Sequence, residues 1–115
     1  MIVTPQAVEQ RLVQLSKEID EAQAMLESTE LSYYNAKAEC EIGLATERLT
    51  LGKSGVKYTV QEKEDVAVVA NAHLIRTLAI AEAKVKAARG NAARIRTQVD
   101  IARSVGTSVR SALDT

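Results

Sequence analysis

The chain has 115 residues, of which 46% are apolar, 26% are charged and only 3% are aromatic, with no Trp and no Phe. So few aromatic residues argue against a small globular enzyme, because a compact core normally uses large aromatic side chains. Fifteen basic and fifteen acidic residues leave no net charge. Any attraction to a nucleic acid or a membrane must therefore come from an uneven distribution of charge along the chain.

Cofactor and membrane signals are weak throughout the sequence. The single cysteine, Cys40, cannot form an internal disulfide, and Cys40 with His73 supplies too few ligands for a closed zinc site, so no metal or other cofactor is expected. No apolar run reaches the roughly 18 residues that cross a bilayer. The first five residues lack the basic and apolar regions of a signal peptide. We expect a soluble, cytoplasmic protein.

The first predicted element is a helix over about residues 5–49. Thr4 followed by Pro5 is typical of a helix start, because the N–H that proline lacks would have no partner there. Apolar and small residues then recur at alternating spacings of four and three. They are Val8, Leu12, Leu15, Ile19, Ala22, Leu26, Thr29, Tyr33, Ala36 and Cys40. This heptad pattern predicts a seam that packs against another helix.

A turn over about residues 50–59 is expected next. Gly52 and Gly55 favour it, because glycine adopts positive φ at little cost. Thr59 and Glu62 have the spacing of a capping box, which predicts the start of a second helix over about residues 60–113. The seam of this helix again has spacings of four and three. It comprises Leu74, Leu78, Ala81, Val85, Ala88, Ala92, Ile95, Val99, Ala102, Gly106, Val109 and Leu113.

The predicted architecture is all-α, a single elongated helical-hairpin domain over residues 1–115. Its helices would be roughly 65 to 80 Å long at about 1.5 Å per residue. Further apolar residues lie outside the seams and have no partner in a hairpin, for example Met25, Ile42, Leu44, Val66, Val69, Ile80 and Ile101. Exposed apolar surface of this extent normally marks an interface. We therefore expect hairpins to assemble through heptad seams into a homo-oligomeric bundle or ring.

Charge is divided unevenly between the two predicted helices. Residues 1–49 carry four basic and nine acidic side chains, whereas residues 50–115 carry eleven basic and six acidic ones. Four arginines recur at every seventh position beside the second seam, about 10.5 Å apart along the helix: Arg89, Arg96, Arg103 and Arg110. This row could pair with carboxylates of the first helix, within or between subunits. Alternatively, part of it could bind a nucleic-acid backbone together with Lys84, Lys86 and Arg94.

Other residues are weaker candidates for a functional site. Lys53 and Lys57 lie beside glycines, but no strand precedes them and the spacing is not that of a phosphate-binding loop, so a polar turn is favoured. Both lysines are kept as secondary phosphate contacts. Carboxylates on an exposed helix, without His or Ser partners, do not make an acid–base site. No enzymatic activity is expected.

Part of the second helix resembles a known family. The segment 86–95, KAARGNAARI, followed by Gln98, Arg103 and Gly106, is similar to the C-terminal helix of phage recombination mediators of the UvsY type, which carry a Lys-x-Arg-Gly-x-Ala-x-basic element. Residues 33–52, an Ala, Lys and Glu-rich helix running into a glycine-containing turn, resemble the middle portion of that family. The likeness covers about residues 33–106.

The resemblance implies a phage protein of DNA recombination and repair that acts in the host cytoplasm. Such a protein forms a ring, binds single-stranded DNA, and helps to load a RecA-like recombinase onto strands covered by a single-strand-binding protein. The basic element of the family falls on Lys86, Arg89 and Arg94, with Arg103 as a further match. The complete set of expected DNA contacts is Lys84, Lys86, Arg89, Arg94, Arg96 and Arg103, with Lys53 and Lys57 secondary.

Two other functions are compatible with the sequence. The first is a coiled-coil structural, scaffold or adaptor protein that does not bind DNA, in which the arginine row serves only subunit pairing. The second is a helical inhibitor of a host protein that binds through the acidic first helix.

Overall fold

A computed structural model describes residues 3–114 of the chain. They form three α-helices, α1 (Pro5–Gly52), α2 (Val60–Ala70) and α3 (Ala72–Asp114), and contain no strand. The all-α prediction is therefore confirmed. Met1, Ile2 and Thr115, which the predicted domain over 1–115 includes, lie outside the described residues.

Helix α1 begins at the predicted residue and ends three residues later than expected. The Thr4 hydroxyl accepts a hydrogen bond from the Ala7 N–H (3.1 Å), as a residue preceding a helix commonly does. Beyond Gly52, the Ser54 hydroxyl donates to the Leu51 carbonyl (2.8 Å). Gly55 has a φ of +78°, a conformation that favours glycine.

The predicted capping box is present at the start of α2. The Glu62 N–H donates to the Thr59 hydroxyl (3.1 Å), and the Thr59 N–H donates to the Glu62 carboxylate (3.3 Å). Two backbone donors that a helix start leaves without partners are thereby satisfied.

The prediction of one helix over 60–113 is wrong at Asn71, where the chain breaks between α2 and α3 and bends by 70°. The Asn71 side-chain amide donates to the Ala67 carbonyl (2.9 Å) and to the Gly43 carbonyl of α1 (3.3 Å). Asparagine offers the backbone such bonds in place of helical ones, so it interrupts a helix readily. The sequence signals of this break are the polar Asn71 within an apolar run and the loose seam before Leu74.

The chain divides into two compact units, one of residues 3–27 with 86–114 and one of residues 28–85. We call them the terminal unit and the central unit. In the terminal unit, the start of α1 packs on the end of α3. Val8 lies beside Gly106 and Gln23 bonds Arg96, so the two segments run antiparallel. The core of this unit consists of Leu15, Ala22, Ala92, Ile95 and Val99, flanked by Leu12, Ile19 and Ala102.

In the central unit, the end of α1 packs against α2 and the start of α3. A Cβ atom added to Gly43 would clash with the Asn71 side-chain oxygen and lie 2.8 Å from Leu74 Cδ1, so these elements approach very closely. Arg48 and Glu64 form a bidentate ion pair, with Nε to Oε1 at 2.6 Å and Nη2 to Oε2 at 3.1 Å.

Both predicted seams are inside the fold. All ten α1 seam residues are buried or partly buried, including Cys40, and so are the α3 seam residues other than Leu113, which is 67% exposed. Within residues 3–114, none of the three helices has both the length and the apolar character to cross a bilayer by itself. Taken together, α2 and α3 meet the requirements of length and apolar composition, but the two helices are bent by 70° relative to each other.

Candidate nucleic-acid interface

The predicted row of arginines lies in the terminal unit. Arg89, Arg96, Arg103 and Arg110 are all exposed on α3, and we call them the arginine row. Positions seven apart on an α-helix differ in direction by only about 20°. The row therefore follows one flank of the α3 seam, and consecutive Cα atoms are about 10.5 Å apart along the axis.

Three members of the row form no ion pair with a carboxylate of the described residues. Arg96 Nη2 donates to the Gln23 side-chain oxygen (3.5 Å), and Arg110 Nε donates to the Gly106 carbonyl (3.4 Å). The Arg103 guanidinium has no hydrogen-bond or ion-pair partner within residues 3–114. The fourth member, Arg89, does have a partner in its own chain. Arg96, Arg103 and Arg110 are therefore not held in place by ion pairs with α1 carboxylates.

A groove runs beside the C-terminal half of the row. Arg103 and Arg110 line it together with Pro5, Val8, Glu9, Leu12, Gly106 and Thr107. Helix α1 approaches α3 closely here because Gly106 has no side chain: Val8 Cγ1 lies 3.0 Å from the position where a Cβ of Gly106 would be. Glu9 is the one carboxylate among these lining residues. The groove thus combines an apolar floor with two guanidinium groups.

Arg94 lies on a different side of α3. It donates to the Asn91 side-chain oxygen (2.8 Å) and lines a separate groove with Glu18, Glu21 and Met25. Arg11 lines this groove too, so its two glutamates offset two arginine charges. The structure therefore does not bring Arg94 together with Arg96 and Arg103, although the sequence places all three in one basic segment.

The remaining expected contacts fall into two groups. Lys86 is exposed on α3 of the terminal unit, and its position on the helix is about 60° around the axis from Arg89; it has a partner in its own chain. Lys53, Lys57 and Lys84 belong to the central unit and are exposed there. Of the two units, the terminal unit is the one in which arginines form a row along a single helix.

Sequence reasoning missed the role of two glutamines. Gln23 accepts from Arg96, where pairing with an α1 carboxylate was one expectation, and Gln98 accepts from Arg11 (3.4 Å), so neutral amides bridge α1 and α3. An amide holds a guanidinium by a hydrogen bond without cancelling its charge. The signal was present in the sequence, since Gln23 flanks the α1 seam between Asp20 and Glu27.

Residues 3–114 contain no cluster of three or more His, Cys, Asp or Glu side chains that could hold a metal ion. Comparisons of the chain with protein-family models, with curated proteins and with solved structures gave no match. The resemblance to recombination mediators stays a hypothesis that rests on the residues quoted for it.

Proposed function

We propose that the terminal unit binds the backbone of single-stranded DNA through the arginine row, and that the chain is a non-enzymatic recombination mediator. One observation carries the proposal. Arg96, Arg103 and Arg110 stand on one side of α3, exposed and without a carboxylate partner among the described residues. A line of exposed guanidinium groups outside ion pairs is a feature that a polyanion recognises.

The chemistry of the row favours contacts to phosphates. Guanidinium groups form paired hydrogen bonds with phosphate oxygens, and each contact releases condensed counterions, so affinity is independent of sequence and sensitive to salt. Stacking on aromatic side chains would add affinity for single strands. All three tyrosines, Tyr33, Tyr34 and Tyr58, lie in the central unit. Binding by the terminal unit is therefore mainly electrostatic.

The resemblance extends the proposal to assembly and partners. Copies of this chain would associate into a homo-oligomeric bundle or ring, which multiplies the row around the assembly. A RecA-like recombinase and a single-strand-binding protein are the proposed protein partners, in the cytoplasm of a host cell. The extension rests on the sequence pattern of Lys86, Arg89, Arg94 and Arg103 at the positions of the basic element of the family, although Arg94 lies on the side of α3 away from Arg103.

Fluorescence anisotropy with a labelled oligo-dT over a series of salt concentrations tests the binding. For single strands the slope of log affinity against log salt is about 0.7 per phosphate contact. Replacing Arg96 and Arg103 by Ala is expected to weaken binding about 10- to 100-fold at low salt and to flatten the slope by roughly 1.4.

The matched control is Arg94→Ala, which removes the same charge from the other side of α3. It is expected to change affinity less than about threefold. A loss per removed charge as large as that of the Arg96 and Arg103 double variant would show that the row is not the site. Absence of any anisotropy change with micromolar protein at low salt would reject DNA binding altogether.

A structural or adaptor coiled coil is the second candidate function. It is favoured by an apolar groove on the terminal unit, lined by Val3, Ala7, Ile101 and Val105 together with Arg11 and Gln98. Ile101 is 59% exposed there. If oligo-dT does not bind, this groove becomes the surface to examine for a protein partner.

A further inference from the structure

In the terminal unit, helix α1 carries a row of polar side chains on the flank of its seam that faces the arginine row. Its members are spaced by seven residues, and we call them the facing row: Glu9, Ser16 and Gln23. One contact fixes its place. The Gln23 side-chain oxygen accepts a hydrogen bond from Arg96 (3.5 Å), so the two rows meet at this level.

The two rows stay in register beyond that contact. Because α1 and α3 run antiparallel here, a step of seven residues back along α1 matches a step of seven residues forward along α3. The first step places Ser16 at the level of Arg103. The second places Glu9 at the level of Arg110, and these two residues line the same groove. Each of the three arginines therefore has one member of the facing row at its own level.

The facing row is neutral at two levels and acidic at the third. Gln23 and Ser16 carry no charge, whereas Glu9 is a carboxylate. The Glu9 side chain is exposed, and it makes no hydrogen bond or ion pair within residues 3–114. Its negative charge is therefore directed at whatever enters the groove beside Arg110. The α1 side of the site is neutral beside Arg96 and Arg103 and negative beside Arg110.

Other carboxylates do not remove this difference. On α3, Arg103 has an acidic neighbour three residues away, Asp100. Arg110 has one four residues away, Asp114, so α3 treats the two arginines alike. On α1, Asp20 is turned about 40° further from the seam than the facing row is at residue 16. The carboxylate that distinguishes the two arginines is the one on the facing row.

We propose that Glu9 closes the DNA site at the Arg110 end, so that Arg96 and Arg103 make the strong phosphate contacts. A phosphate at Arg103 faces Ser16, whose hydroxyl has no partner within residues 3–114 and can donate a hydrogen bond to it. A phosphate at Arg110 faces the Glu9 carboxylate, and the like charges repel. This inference rests on the proposed DNA binding and adds the residue that sets the limit of the site.

Glu9→Gln tests the closure, because it removes the carboxylate with little change of shape. Affinity for labelled oligo-dT at low salt is expected to rise about 3- to 10-fold, and the salt slope to steepen by about 0.7, the value of one added phosphate contact. The matched control is Glu21→Gln, the same change on the side of α1 that lines the groove of Arg94. It is expected to raise affinity less than about twofold. An equal rise in both variants would overturn the proposal, since only net charge would then matter.

An exchange of two side chains gives a sharper test at constant composition. Glu9→Ser combined with Ser16→Glu keeps the net charge and moves the carboxylate from the level of Arg110 to the level of Arg103. In the exchanged chain, Arg110→Ala is expected to weaken binding about 3- to 10-fold and Arg103→Ala less than about twofold. In the wild-type chain the two arginines are expected to have the opposite order. An unchanged order after the exchange would reject the role of Glu9.

The outcomes separate this inference from the proposed function. Circular dichroism checks that each variant keeps the helicity of the wild type. If the wild-type chain binds oligo-dT through Arg96 and Arg103 and the exchange has no effect, DNA binding stands and the closure by Glu9 is rejected. If the wild-type chain at micromolar concentration binds no oligo-dT at low salt, both are rejected.

Discussion

The terminal and central units use the same helix α1 in different ways. In the terminal unit, α1 packs on an uninterrupted segment of α3 through a regular seam, with Leu15 fully buried. In the central unit, α1 meets a partner that breaks at Asn71, and the close approach at Gly43 replaces the regular seam. A heptad pattern therefore predicts which face of a helix is buried, but not the continuity of its partner.

Leu15→Ala is expected to have the largest effect on stability. Leu15 is the largest fully buried side chain of the described residues, so the substitution leaves a cavity in the terminal core. The free energy of unfolding should fall by about 3 to 4 kcal/mol, measured by urea denaturation. The control is Leu113→Ala, the same change at an exposed position of the same unit, with an expected effect below about 0.5 kcal/mol. Equal losses at both positions would contradict the seam.

Gly43→Ala tests the close approach in the central unit. Alanine normally stabilises a helix interior by about 1 kcal/mol relative to glycine. At Gly43 the new Cβ meets Asn71 and Leu74, so overpacking should reverse the sign and cost about 1 to 2 kcal/mol net. The control is Gly90→Ala in α3, where the added Cβ has no neighbour within 4 Å beyond the adjacent residues and backbone of its own helix; it should gain about 0.5 to 1 kcal/mol.

Thermal or urea unfolding of both glycine variants gives the comparison. Adding Asn71→Ala to Gly43→Ala should recover part of the loss, since the clashing oxygen is then absent, and the double-mutant cycle measures this coupling. If Gly43→Ala stabilised the protein as much as Gly90→Ala, α1 would not be in close contact with Asn71 and Leu74.

Gln23→Glu tests whether neutral partners keep the arginine row charged. A carboxylate at this position would pair with Arg96 and repel phosphates, so affinity for oligo-dT should fall about 3- to 10-fold while stability changes by less than about 0.5 kcal/mol. The control Gln14→Glu makes the same charge change on the other flank of the α1 seam. An equal loss for both variants would show that only net charge matters.

The sequence predicts most of the fold for a physical reason. The burial of the α1 seam residues follows from their spacing. The capping box at Thr59 and the helix start at Pro5 follow from local backbone hydrogen bonding. All three features are present. The break at Asn71 was not predicted; one of the two bonds of its side-chain amide is local, to Ala67, but the other is with Gly43, 28 residues away, which the local pattern does not reveal. Arg94 and Arg96 were expected to act together because they are close in the sequence. Two residues turn a helix by about 200°, so the two side chains lie on different sides of α3.

The Arg48–Glu64 pair is expected to have the smallest effect, although it is the short bidentate ion pair of the central unit. Both side chains are more than 40% exposed, so water and salt screen the attraction. A double-mutant cycle of Arg48→Ala and Glu64→Ala should give a coupling of about 0.5 to 1 kcal/mol that fades in 1 M salt. A coupling above about 2 kcal/mol that resists salt would mean that charge, and not the approach of α1 to Asn71, holds the central unit together.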